Sequence, residues 1–345
     1  MTRLIFIGIE SSRAEATNGE IVKNQLLLNK FRDIYDDVYV IDLFNLKKRV
    51  VFVIIQLLFV LLRYPKTKIV LSASTKVAYC FIKIFDLIKR KNVYYWVVGG
   101  AFSEVLKKGE YPVKPYKNLK YIMVQGGGMV KQLCSLGLTQ ARQVLNAKPI
   151  TYIPNKNLGK RGDKIRFVFI SRVSPGKGCD YIFEAAKRLN ADNYKEKFSI
   201  TFYGKIENGY KNFLHSVEAT DNIDYKGFLD LQDQKSYDIL ALYDVMLFPT
   251  YWDGEGFAGI FIDAFIAGLP VICSDWNCNA EFINDEVGRV IPVHNVDALE
   301  DTMKQCIDGK IDIAMLSLNC QARALEYDIN HVFSEKFLKD LNLID

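Results

Sequence analysis

Histidine is nearly absent. The chain has 345 residues and 3 histidines, and none precedes His215. The seven cysteines, Cys80, Cys134, Cys179, Cys273, Cys278, Cys306 and Cys320, are odd in number and irregularly spaced. No Cys or His pair has zinc-ligand spacing, so a zinc module and a disulfide-stapled scaffold are excluded and no metal is expected. Reduced, mostly buried thiols in a cytosolic protein are expected instead. Met-Thr-Arg runs straight into an apolar strand, without an apolar signal core and small-residue cleavage site, so no secretory signal is expected. Internal repeats and low-complexity tracts are also lacking. Half of the residues are apolar and a quarter charged, which excludes a disordered or collagen-like chain.

The charge is unevenly placed. The net +5 divides into 24 Lys and Arg against 10 Asp and Glu in residues 1–155, a balance of +14, and −9 over the remainder. A basic half joined to an acidic half suggests two domains with different partners. Phosphates and the headgroups of an anionic membrane surface suit the basic half. A nucleic-acid partner is not expected.

Short apolar runs at residues 4–9, 38–43, 69–72, 93–98 and 121–125 alternate with helix-length segments. This pattern argues βαβ units on a parallel sheet. It restarts at residues 166–171 and continues through strands at 198–203, 223–226, 245–249 and 270–273. The expected organisation is therefore α/β: domains at 1–155 and 156–327, then a C-terminal helix at 328–345 that packs back on the first domain. Residues 50–62 stand apart, with Gln56 the single polar residue among thirteen and Lys or Arg on both flanks. They are too short to span a bilayer. They read either as a core helix or as a helix lying in a bilayer surface. Residues 79–91 mix apolar and basic side chains in the same way.

Residues 249–270 read PTYWDGEGFAGIFIDAFIAGLP. A strand ends at Pro249, a loop holds Glu255 and Gly256, and a helix is predicted from about Ala258 to Ala267. Gly268 then takes the C′ position and Pro270 bars continuation. Free amides at a glycine-rich helix start favour an anion. Asp263, eight positions after Glu255, can reach a hydroxyl-bearing part of the same ligand. Arg172 and Lys177 lie in the loop after the first strand of the second half. Ligands of open α/β sheets bind at strand carboxyl ends, so both cations can meet that anion. Arg supplies a planar bidentate grip and Lys a point charge. A capped helix beside solvated loop charges is the alternative. Gln125-Gly126-Gly127-Gly128 does not complete a dinucleotide fingerprint, because Lys131 holds the third glycine position. Tyr251-Trp252 reads either as a sugar-stacking platform or as a buried aromatic pair.

Ser171-Arg172, Lys177-Gly178, Glu255-Gly256-Phe257-Ala258, Asp263-Ala264 and Gly268-Leu269-Pro270-Val271-Ile272 together resemble glycosyltransferase family 4, of the glycosyl transferases group 1 type. The resemblance covers residues 150–300 and the first half in outline. It implies the GT-B fold, two Rossmann-like domains with an interdomain cleft, and retaining, metal-independent transfer of a hexosyl or N-acetylhexosaminyl group from a nucleotide sugar. UDP is expected over GDP, with no cofactor. The implied catalytic residues are Glu255, Arg172 and Lys177. The implied donor-binding set is Arg172, Lys177, Gly256, Phe257, Ala258, Gly259 and Asp263, with Asp263 on the ribose. The implied acceptor is lipid-linked or a polysaccharide of the cell surface, met at the cytoplasmic face of a membrane.

Departures from the family pattern are specific. The second carboxylate is Asp263 where the family has Glu. The strand at 93–98 leads into Gly99-Gly100 where many relatives carry a His, and the first glycine-rich loop is reduced to Gly19. Ser12, Arg13, Gly19, Gly99 and Gly100 are the acceptor-side candidates, and Glu104 or Glu110 could stand in for the missing His. Two other readings stay open: a nucleotide-sugar epimerase on the same fold, and a non-catalytic sugar-binding assembly subunit.

Overall fold

The computed structural model describes residues 2–10, 19–156 and 164–344. It divides into two compact units, Met1–Ala147 with Val332–Asp345, and Lys148–His331. Lys148 already belongs to the second: its amide donates to Tyr327 O (3.0 Å) and its carbonyl accepts from Ile329 N (2.9 Å).

The first unit runs β1 (Arg3–Gly8), α1 (Gly19–Ile34), β2 (Asp37–Asp42), α2 (Leu46–Arg63), β3 (Lys68–Ser74), α3 (Thr75–Leu87), β4 (Val93–Val98), α4 (Phe102–Lys107), β5 (Tyr121–Val124), α5 (Gly127–Ser135) and β6 (Ala141–Gln143). Its parallel sheet has the order β2-β1-β3-β4-β5-β6. Strands such as IFI and YYWV are apolar at every position because helices cover both faces. On one face Phe31 of α1 packs on Phe6 and Trp96. On the other, Val53, Leu57 and Val60 of α2 and Ala78, Phe81 and Phe85 of α3 share a core with Ile5, Ile7, Ile69 and Leu71. Val53, Leu57 and Val60 are the buried residues of α2; Leu46 and Leu61 pack partly against the same core, and most of the remaining helix is exposed. The chain end completes this unit. Phe333 stacks on Trp96, Tyr94 Oη donates to the Leu341 and Asn342 carbonyls (both 3.1 Å), and Lys68 Nζ donates to Leu343 O (3.1 Å).

The second unit runs β7 (Ile165–Ile170), α6 (Cys179–Ala191), β8 (Phe198–Tyr203), α7 (Phe213–Glu218), β9 (Ile223–Tyr225), α8 (Lys235–Leu240), β10 (Val245–Phe248), α9 (Ile260–Ile266), β11 (Val271–Ser274), α10 (Asn279–Phe282), β12 (Gly288–Ile291), α11 (Val296–Ile307) and α12 (Ile313–Ala324). Its sheet, also parallel, has the order β12-β11-β10-β7-β8-β9. The winding therefore reverses between β7 and β10, where ligands of doubly wound sheets bind. Asn295 and Asp312 cap α11 and α12 by accepting from Ala298 N (2.9 Å) and Met315 N (3.0 Å).

Three local expectations are corrected. The strands β6 and β12 are absent from the sequence reading: ARQ is three residues with a polar, exposed end, and GRVI opens on glycine and arginine. The last segment is not one helix. It forms α13 (Ile329–Val332) and α14 (Glu335–Asp340), broken where Phe333 turns onto Trp96 and Ser334 is extended. Finally, α9 is shorter at both ends than 258–267.

Candidate active site

Two loops leave the carboxyl ends of β7 and β10. Tyr251 N donates to Gly176 O (2.8 Å), and Thr250 Oγ1 lies 3.3 Å from the same carbonyl. Gly178, which opens α6, is essential to this approach. Its φ is +79°, and a Cβ there would fall 2.1 Å from Pro249 O.

The stitched loops bring Lys177 and Glu255 together. Lys177 Nζ pairs with Glu255 Oε2, and only 8% and 11% of the two side chains remain exposed. Thr250 Oγ1 donates to the same Oε2 (3.3 Å). The Lys177 ammonium also lies 5.3 Å from the centre of the Phe248 ring. Asn277 Nδ2, from the loop after β11, holds Glu255 O (2.9 Å). Below the pair, burial pushes the Cys278 thiol up to about 12, with Glu281 and Glu255 adding to the effect.

Arg172 sits differently. Its guanidinium lies 4.9 Å from the centre of the Trp252 ring and 3.4 Å from Glu207 Oε1, and the side chain is half exposed. Trp252 and Tyr251 part company. Trp252 lies against Gly176 and Gly254 beside Arg172, whereas Tyr251 packs on His294 and Tyr181.

Beyond Glu255 the chain is buried at Gly256, Phe257 and Ala258. The Phe257 ring belongs to the core, packed on Phe282 and Tyr327. Among the described residues the amides of Gly256, Ala258 and Gly259 donate to no protein acceptor, and a Cβ on Gly259 would meet open space. At the far end of α9, Gly268 N and Leu269 N donate to Phe265 O (3.0 Å) and Ala264 O (2.8 Å), a Schellman closure with Gly268 at φ +63°.

Asp263 is buried in α9, and its Oδ1 accepts from Tyr237 Oη (2.7 Å) and Lys148 Nζ. Burial, and then the Asp263 charge, push the Tyr237 phenol up. Lys148, Tyr237, Thr250 and Asn277 are absent from the sequence-based set. Each lies far along the chain from its partner or reads alone as an ordinary polar residue. For Lys148 and Tyr237 the signal is only that Asp263 interrupts an apolar helix and therefore needs a partner.

In the first unit, Ser12 and Arg13 lie outside the described residues. Gly19 starts α1 at an exposed position, and Gly99 (φ +90°) and Gly100 follow β4. Glu104 is exposed and accepts from Gln132 Nε2. Near the same strand end, Lys23 Nζ donates to Val97 O (2.8 Å), and burial pushes this ammonium down to about 7 against the pull of Glu20. Asn24 and Ser72 are buried beside it and bonded to each other (2.6 Å). Among the described residues no group of three or more His, Cys, Asp or Glu is placed to hold a metal ion.

Two doubly wound parallel sheets define the GT-B class of glycosyltransferase architecture. The crystal structure of HepE from Anabaena in complex with UDP shares it over 100% of both chains, with a TM-score of 0.73 at 13% identity. Within that class, residues 154–323 match the family described as Glycosyl transferases group 1. It is 25% identical over 182 residues to the amylovoran biosynthesis glycosyltransferase AmsK of Erwinia amylovora, covering 51% of this chain and 44% of that protein. It is 26% identical over 192 residues to the UDP-Gal:alpha-D-GlcNAc-diphosphoundecaprenol alpha-1,3-galactosyltransferase of Escherichia coli, covering 55% and 48%. The chain thus spans about half the length of the curated relatives it matches.

Proposed function

We propose that the protein is a retaining, metal-independent glycosyltransferase. It moves a hexosyl or N-acetylhexosaminyl group from a UDP-sugar to a lipid-linked or polysaccharide acceptor of the cell surface, at the cytoplasmic face of an anionic membrane. The observation that carries the reading is the buried Lys177–Glu255 pair at the β7/β10 switch point, beside the amides of Gly256, Ala258 and Gly259, which donate to no acceptor among the described residues. The E. coli relative is named for UDP-galactose and a diphosphoundecaprenol-linked acceptor, and the Anabaena structure holds UDP, which support the choice of nucleotide and acceptor.

Without donor, Glu255 neutralises Lys177. A diphosphate takes over Lys177 and the amides, and Arg172 swings its planar fork from Trp252 onto the same charge. Glu255, released, accepts from hydroxyls of the donor sugar. Asp263 keeps Oδ1 on Tyr237 and Lys148 and offers Oδ2 to a ribose hydroxyl. As the anomeric C–O bond breaks, its electron pair passes to the departing phosphate, where Lys177 and Arg172 stabilise it. The acceptor hydroxyl attacks from the same face and gives its proton to that phosphate oxygen, which preserves the anomeric configuration.

A panel of labelled UDP- and GDP-sugars, incubated with cell lipid extract with and without chelator, tests this. Transfer from a UDP-sugar, unaffected by chelator and with retained anomeric configuration by NMR, is expected. An inverted product, or a covalent glycosyl adduct trapped on Glu255, contradicts the mechanism.

A further inference from the structure

The α2 helix is apolar on two sides. Val53, Leu57 and Val60 face the sheet. Val51, Ile55, Leu58 and Leu62, at i, i+4, i+7 and i+11, form a second stripe that is 70%, 59%, 54% and 82% exposed, flanked by exposed Phe52 and Phe59. On α3, which covers the same sheet face, Ile84, Leu87 and Ile88 are exposed as well. Arg90 ties the ends of the two helices together by donating to Tyr64 O (3.0 Å) and Thr67 O (2.5 Å). Scattered apolar residues on a surface are ordinary; a contiguous stripe of this length is not.

The charges within the α2 segment are of one sign. Residues 43–68 contain six Lys or Arg and no Asp or Glu. Lys47, Lys48 and Arg49 occupy the first turn of α2, where the helix dipole disfavours cations, and no side chain caps that end. Among the described residues Arg49 alone of the six reaches a carboxylate, Asp42 (3.2 Å). A second copy of this face would bring cation against cation. An anionic bilayer answers each feature: acyl chains receive the stripe, and headgroup phosphates receive the lysines at its ends.

We infer that the outer face of α2, with the adjoining apolar end of α3, is the membrane-docking surface of the protein and lies flat in the interface of an anionic bilayer. The inference deepens the membrane-facing part of the function proposed above and is independent of donor chemistry. Among the described residues no helix is long and apolar enough to cross a membrane, so the contact is one of surface immersion.

Flotation of the full chain on phosphatidylcholine vesicles, with or without about a third phosphatidylglycerol, tests it. The wild type floats with the anionic vesicles, and less so at high salt. Ile55→Glu with Leu58→Glu lowers bound protein by about tenfold or more, with the melting temperature and its shift by UDP unchanged. Lys47→Gln with Lys48→Gln weakens flotation and flattens its salt dependence. Flotation of the Glu variant at the wild-type level overturns the inference. So does a wild-type dimer that ignores both vesicles and that the Glu variant converts to monomer. The UDP shift reports separately on the donor site.

Discussion

Glu255→Gln separates the two roles that the buried pair combines. The substitution keeps size and an acceptor oxygen but strands the Lys177 ammonium, whose side chain is 8% exposed. Removing one partner of a buried pair costs about 3–5 kcal/mol. The retained amide oxygen and Thr250 place this case at the lower end, about 3 kcal/mol. At about 2–4 °C per kcal/mol for a domain of this size, the ligand-free Tm falls by about 6–12 °C. UDP then binds the variant at least as tightly as the wild type, because Lys177 no longer has to leave a carboxylate. The UDP-induced rise in Tm is correspondingly larger, while sugar transfer falls by about a hundredfold or more. Differential scanning fluorimetry with and without UDP, beside a transfer assay, reads all three quantities. A variant that loses UDP binding tenfold while keeping its ligand-free stability would refute the reasoning, because Glu255 would then be a direct nucleotide contact and not the resting partner of Lys177.

Gly178→Ala forces a Cβ onto Pro249 O at a left-handed position, so urea unfolding should show a loss of about 2–4 kcal/mol, and more modest loss would mean that the loops can separate. Lys148→Met leaves the buried Asp263 carboxylate with Tyr237 alone and should cost about 3–5 kcal/mol, of which adding Asp263→Asn restores a large part in a double-mutant cycle. Desolvation pushes the Lys23 ammonium down to about 7 in the folded protein against about 10.4 unfolded, so the unfolded chain should bind the extra proton between these values and stability should rise with pH across that window. Lys23→Met removes this slope; parallel denaturation curves at about pH 6 and about pH 9 for the two proteins would show the same slope if Lys23 were not buried as an amine.

Period and punctuation made the α/β class legible, since apolar strands buried on both faces need no partner information to be read. Glu255, Asp263, Arg172 and Lys177 were visible because each is charged at a strand end or inside an apolar helix. Their partners were not. Lys148 meets Asp263 across 115 positions, and Lys23 reads as one more solvated helix lysine until burial is known. Tyr251 and Trp252 are adjacent in sequence yet serve different neighbours, because successive residues of an extended loop point to opposite sides. The segment at residues 50–62 admitted core and surface readings alike, and α2 turns out to be core at Val53, Leu57 and Val60 and surface along the opposite stripe. Short polar strands such as β6 carry too few residues for any period to register.

The central claim is that Lys177, at the switch point of the second sheet, receives the diphosphate of a uridine nucleotide. Calorimetric titration of UDP into the wild type and Lys177→Met measures this directly. The account predicts binding to the wild type that weakens by about 10–100-fold in the variant, with the fold preserved by circular dichroism. Equal affinity in the two proteins, or no heat of UDP binding to the wild type, would contradict it.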